Sequence, residues 1–297
     1  MPKKAQPSTG PGKPVTEELV LTPGGWRPVS KVHAIERGHH LSGAGGRLKE
    51  IETSSHKVLR DFGAIPKSRK GKAEFARSTG VPKHKMVASV AGITYGSGWI
   101  TYAGWTNNSG SPINFFTTQW TVPPVPANQS GQTIFLFNGI QNSAFILQPV
   151  LQWGVSAAGG GPYWAVSNWY VDGQGGQAKY SPLVRVNPGD ALVGVMRLTG
   201  QNGDLFSYSS SFDNIPNNTL DVADIEELTW ANETLEAYSI TSCADYPNTQ
   251  MTAMTAIALT SNNGALIPAW IPATPVNECG QHNAILNNGQ EVDLYYH

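Results

Sequence analysis

From Gly98 onward, short apolar runs alternate with clusters of Gly, Pro, Asn and Ser. The runs include WITYAGW (Trp99 to Trp105), INFFTTQWTVP (Ile113 to Pro123), TIFLFNGI, FILQPVLQWG (Phe145 to Gly154), YWAVSNWYVDG (Tyr163 to Gly173), ALVGVMRLT (Ala191 to Thr199), LFSYSSSF, LTWANETLEAY (Leu228 to Tyr238), MTAIALT and EVDLYYH; NNSGSP, PANQSG, AAGGGP and NPGD separate some of them. β-branched and aromatic residues suit a pleated, half-buried surface, and the breaks are turn residues. About eleven strands at this spacing, without a sustained helical period, predict an all-β sandwich of two antiparallel sheets of the jelly-roll kind. The segment from Ile225 to Tyr238 is the one place where a helix competes, with Ile225, Leu228 and Leu235 at helix-like spacing.

The first part of the chain has a different texture. Residues 1–15 are Pro, Gly, Lys and polar, and read as disordered. From Val20, VLTPGGWRPVSKVHAIE suggests short strands around a PGG turn, and Leu48 to Phe62 a strand pair or a short helix. Pro66 to Lys85 is basic and poor in large apolar residues, the profile of an exposed, protease-sensitive linker. The expected division is a basic, partly disordered N-terminal region and linker over 1–90, then the sandwich over 91–297.

Charge sharpens that division. The formal net charge of −1 conceals 17 basic against 7 acidic residues in 1–90, about +10, and 3 against 14 in 91–297, about −11. Parts of opposite charge attract at neutral pH, and the attraction fades as carboxylates protonate. A basic tail for nucleic acid or an anionic surface is the alternative reading. No apolar run reaches the roughly 18 residues of a membrane span. The start lacks the apolar segment of a secretory signal, so the chain either avoids that export route or has had its signal trimmed. Cys243 and Cys279 fit one disulfide, or two buried thiols.

The candidate chemistry is reached by exclusion. HExxH, a phosphate-binding Gly-Lys-Ser/Thr loop and GxSxG are absent, no metal-ligand spacing surrounds the cysteines, and the sandwich holds only His282 and His297. No metal or cofactor is expected. Carboxylates and amides remain. Gln148 inside one apolar run and Glu233 inside another each need a reason, because a buried polar group without partners costs a few kcal/mol. Either they meet across neighbouring strands as a catalytic pair, or Gln148 is satisfied by strand backbone and Glu233 is an edge charge. Several Trp residues could line a concave sheet and stack on a peptide or a sugar ring, which leaves open a carbohydrate-binding, lectin-like sandwich without catalysis.

The region from Thr101 onward resembles the eqolisins, the glutamic peptidases, over about two hundred residues. The resemblance runs in order through TYAGW (Thr101 to Trp105), TTQWTVPP (Thr117 to Pro124), FNGIQN (Phe137 to Asn142), FILQPVLQWG, NWYVDG (Asn168 to Gly173), NPGDALVGV (Asn187 to Val195) and TWANETLE (Thr229 to Glu236). It departs at Pro149, where the family's glutamine is followed by Thr-Gly, at Gln141 in place of an Asp, and at Thr229 and Thr234 in place of acidic residues. The resemblance implies a concanavalin-like sandwich and an acid-acting endopeptidase. In it Glu233 is the general acid and base, Gln148 steadies the oxyanion, and Trp105 and Trp169 line the cleft. It also implies a secreted monomeric zymogen whose basic N-terminal region acts as its own inhibitor, with a polypeptide as substrate and neither nucleic acid nor membrane as partner.

Overall fold

The computed structural model describes residues 17–68, 88–90, 93–173 and 176–297. In chain order the longer strands and those that build the two sheets include β1 (Leu19–Thr22), β2 (Gly25–Pro28), β3 (Val32–Ala34), β4 (His39–Ser42), β5 (Arg47–Glu52), β6 (Val58–Ala64), β7 (Gly98–Thr106), β8 (Ile113–Thr121), β9 (Thr133–Gln141), β10 (Phe145–Ser156), β11 (Gly159–Asp172), β12 (Ala178–Tyr180), β13 (Ala191–Asn202), β14 (Leu205–Phe212), β15 (Thr219–Ile225), β16 (Trp230–Tyr238), β17 (Met251–Ser261), β18 (His282–Leu286) and β19 (Glu291–Tyr295), with short unnumbered strands such as Ile271–Ala273 beside them. Among the described residues there is no α-helix, so the helix that competed over Ile225 to Tyr238 gives way to β15 and β16. Trp, Thr and Asn in that stretch favour the strand, and pairing on both sides of β16 adds what no isolated helix could match.

Two large sheets form the sandwich. The first runs Ile271–Ala273, β7, β16, β9, β10, β11, β12, β3, and the second β18, β19, β17, β8, β13, β14, β15, β4, β5, β6. Between them lies a core that includes Phe116, Trp120, Leu136, Leu147, Leu151, Trp164, Tyr170, Tyr208 and Leu235. The first sheet is apolar on its outer face too, where Trp99, Tyr102, Phe135, Phe137, Val150, Trp169 and Tyr238 form a second buried cluster. Its central strands are therefore covered on both sides, and every residue of β9 and β16 is buried.

The cover on the outer face comes from the N-terminal region. β1 and β2 form a hairpin closed by Thr22, Pro23, Gly24 and Gly25, with Gly24 at φ 85° where glycine alone is unstrained. Leu21 packs into the outer cluster, and Val20 and Trp26 pack against it. The same region then extends both sheets: β3 pairs in parallel with β12, and β4 in parallel with β15. These two junctions are the parallel pairings in an otherwise antiparallel sandwich among the described residues. Residues 17–65 are thus built onto the sandwich by main-chain pairing. Residues 1–15, read as disordered, and 69–85 of the linker read over Pro66 to Lys85 lie outside the described residues. Cys243 and Cys279 are disulfide-bonded, 36 residues apart in sequence.

Candidate active site

The strand period of two decides which polar groups can meet. On β16, Leu235 and Ala237 belong to the inter-sheet core and Tyr238 to the outer cluster. Glu233 shares the parity of Leu235 and points between the sheets, where the Thr118 hydroxyl on β8 of the second sheet donates to its Oε1 at 2.5 Å. On β10, Leu147 and Leu151 face inward while Ile146 and Val150 face outward. Gln148 shares the outward parity, opposite Trp169 on β11. Gln148 and Glu233 therefore lie on opposite faces of one sheet and do not meet. Trp169 is wholly buried in the outer cluster, beside Tyr180 at 4.8 Å between ring centroids. Trp105 packs against the inter-sheet core, so the two tryptophans are also on opposite faces.

A different pair does share a face and a row. Glu236, three residues after Glu233 and of opposite parity, stands opposite Phe135 on β9, and Phe135 stands opposite Gln152 on β10. Two strand spacings separate the Glu236 and Gln152 backbones, about 10 Å, a gap that two long side chains on one face can span. The signal for Gln152 is present in the sequence: Gln152-Trp153-Gly154 keeps the Gln-x-Gly spacing that Gln148-Pro149 breaks. The signal for Glu236 is parity alone. A strand apolar on both faces does not reveal which of two glutamates three apart looks which way.

Glu236 is completely buried. Its Oε1 accepts from the backbone N–H of Gly24 in the covering hairpin at 2.8 Å and from the Tyr238 hydroxyl, and the Trp99 indole adds a hydrogen bond. Burial pushes its carboxyl up to about 7, with those donors and the Arg27 guanidinium pulling it back. Glu233 is also pushed well above the usual carboxylate range, by burial, with the Thr118 hydroxyl opposing.

Gln152 is fully satisfied in this state. Its Nε2 donates to the carbonyls of Gly154 and Gly159, each at 2.9 Å, and its Oε1 accepts from the Ser156 hydroxyl at 2.7 Å. A bulge at Trp153 and Gly154 and the following Gly159 and Gly160 bring those carbonyls within reach; a Cβ on Gly160 would stand 2.5 Å from the amide nitrogen. Gln148 lies on the same outer face four residues earlier, and its Oε1 has no hydrogen-bond partner.

No family model and no curated protein matches the chain. Solved structures similar to it include scytalido-glutamic peptidase with a peptide-based transition-state analogue (15% identity, TM-score 0.46) and the same peptidase with a transition-state analogue inhibitor (14%, 0.47). SCP-B, a member of the eqolisin family in complex with the tripeptide Ala-Ile-His, is a third (15%, 0.41). Each covers 68% of this chain and 98% of its own.

Proposed function

We propose that the chain is an acid-acting glutamic-type endopeptidase made as a zymogen, with Glu236 and Gln152 as its reacting pair on the outer face of the first sheet. One observation carries this reading: a buried, ionisable carboxylate shares a cross-strand row with a glutamine amide, and a hairpin of the same chain lies over it. In this reading Glu236 takes a proton from water as the oxygen adds to the peptide carbonyl, then returns it to the leaving amine. The Gln152 amide, turned away from Gly154 and Gly159, donates to the oxyanion. No covalent enzyme intermediate and no cofactor is needed.

The hairpin accounts for silence before activation. Under cover the carboxyl, at about 7, is protonated across the acid range and cannot act as a base. Once the hairpin withdraws, water returns and the carboxyl falls toward the usual range of about 4, where it is ionised over part of the acid window. The basic N-terminal region is the chain's own inhibitor, and its 17 basic residues against the 14 acidic ones of 91–297 supply an attraction that acid weakens. The Cys243–Cys279 disulfide suits secretion into an oxidising surrounding. Casein digestion across about pH 2 to 7 tests the reading. Cleavage confined to acid, accompanied by self-trimming of the basic segment and abolished by Glu236→Gln, is the expected result; a wild type inert at every pH after that segment is cut away would sink it.

A further inference from the structure

Arg27 enters the outer face from β2 and is fully buried there. Its Nε donates to Thr22 Oγ1 at 2.9 Å, inside its own hairpin, whereas Nη2 donates to the backbone carbonyl of Asp172 on β11 at 2.8 Å. Nη1 has no hydrogen-bond partner. The acidic groups around the guanidinium are, in order of influence, Asp172, Tyr238 and Glu236. Burial pulls its pKa down and these three raise it. A buried cation is costly unless its surroundings are built for it. Here the first sheet contributes the backbone carbonyl of Asp172 and two nearby carboxylates, those of Asp172 and Glu236.

These groups belong to the sheet and stay when the hairpin leaves. They then form a negatively polarised slot, sized for a planar guanidinium, beside Glu236. We infer that the slot is an arginine subsite of the cleft: Arg27 fills it in the covered form, and the arginine side chain of a peptide substrate fills it in the open form. This rests on reading the outer face as a peptide cleft. A guanidinium meets a carbonyl and nearby carboxylates with a flat fork of donors, which a lysine ammonium does not reproduce.

The test uses the full chain with Arg27→Ala, which empties the slot and keeps the hairpin backbone. Methylguanidinium at about 10 mM should raise the thermal midpoint of the variant, methylammonium should do so less, and neither should move the wild type. No difference between variant and wild type would overturn the subsite. At acid pH, two peptides differing only by Arg or norleucine should be cut by the variant with kcat/KM values about 10- to 100-fold apart in favour of Arg. Should the variant fold poorly, the wild type inhibited in trans by a synthetic peptide of residues 18–30, with Arg27 kept or replaced by norleucine, should show the same ratio between inhibition constants. Glu236-dependent cleavage that is blind to Arg against norleucine removes the subsite and leaves the peptidase reading standing. Selective methylguanidinium binding without cleavage of any peptide supports the slot and removes the peptidase reading.

Discussion

Replacing Glu236 by Gln is expected to stabilise the covered form at neutral pH and to leave it unchanged in acid. The carboxyl is raised from an ordinary 4.5 to about 7, with burial as the largest cause and the Tyr238 hydroxyl, the Gly24 N–H, Arg27 and the Trp99 indole opposing it. A carboxyl raised in the folded state contributes its full stability below the unfolded value, where it is protonated in both states. That contribution drains away as pH climbs from 4.5 to 7, because the unfolded chain ionises first. The difference of about 2.5 units corresponds to about 3 kcal/mol, at roughly 1.4 kcal/mol per unit. Glutamine is neutral throughout and keeps the shape. Urea unfolding of wild type and Glu236→Gln should therefore give matching stabilities at about pH 4 and a gap of about 3 kcal/mol in favour of the variant at about pH 8, with most of the change between. A gap that does not vary with pH would refute the reasoning. So would a variant less stable than wild type at pH 8, since the carboxylate would then be charged and well paired with Arg27.

Three further outcomes follow from other parts of the structure. Gln152→Ala should lower kcat by about 100- to 1000-fold, the usual cost of an oxyanion donor, while Gln148→Ala should leave kcat within a few-fold of wild type; steady-state kinetics on one peptide substrate at acid pH separates them. Gly24→Ala forces a side chain onto a residue at φ 85°, 3.1 Å from the Arg27 guanidinium, and should loosen the hairpin by about 1–2 kcal/mol; faster limited proteolysis of residues 17–30 at neutral pH would show it. Replacing both Cys243 and Cys279 by Ser opens a loop of 36 residues and should cost about 4 kcal/mol on the chain-entropy account, read from urea unfolding against the disulfide-bonded wild type, with the reduced wild type expected to match the variant.

The fold was largely legible because each strand carries its own local signal. WITYAGW, INFFTTQWTVP and FILQPVLQWG became β7, β8 and β10, bounded by the Gly- and Asn-rich turns that separate them in the text. The PGG turn and its flanking strands in the N-terminal region were also visible. Their destination was not, since parallel pairing of β3 with β12 and β4 with β15 is a long-range choice that no local pattern encodes. The site was legible as stretches and not as residues. The strand holding Glu233 and Glu236, and the strand holding Gln148 and Gln152, are buried on both faces, so the alternation of apolar and polar positions that normally orients a strand is missing. Trp105 and Trp169 divide between the faces for the same reason. Only the second sheet, through Thr118, and the hairpin, through Gly24, show which glutamate faces which way.

Two glutamates three residues apart on β16 thus make opposite claims, and one experiment separates them. Casein hydrolysis at about pH 3 should be measured for wild type, Glu233→Gln and Glu236→Gln, each first shown to be folded. Glu233→Gln keeps a hydrogen-bonding group of the same shape in the inter-sheet core and should retain most of the activity; Glu236→Gln should lose it entirely. The reverse pattern, with Glu233 essential and Glu236 dispensable, would contradict the placement of the reaction on the outer face beneath the hairpin.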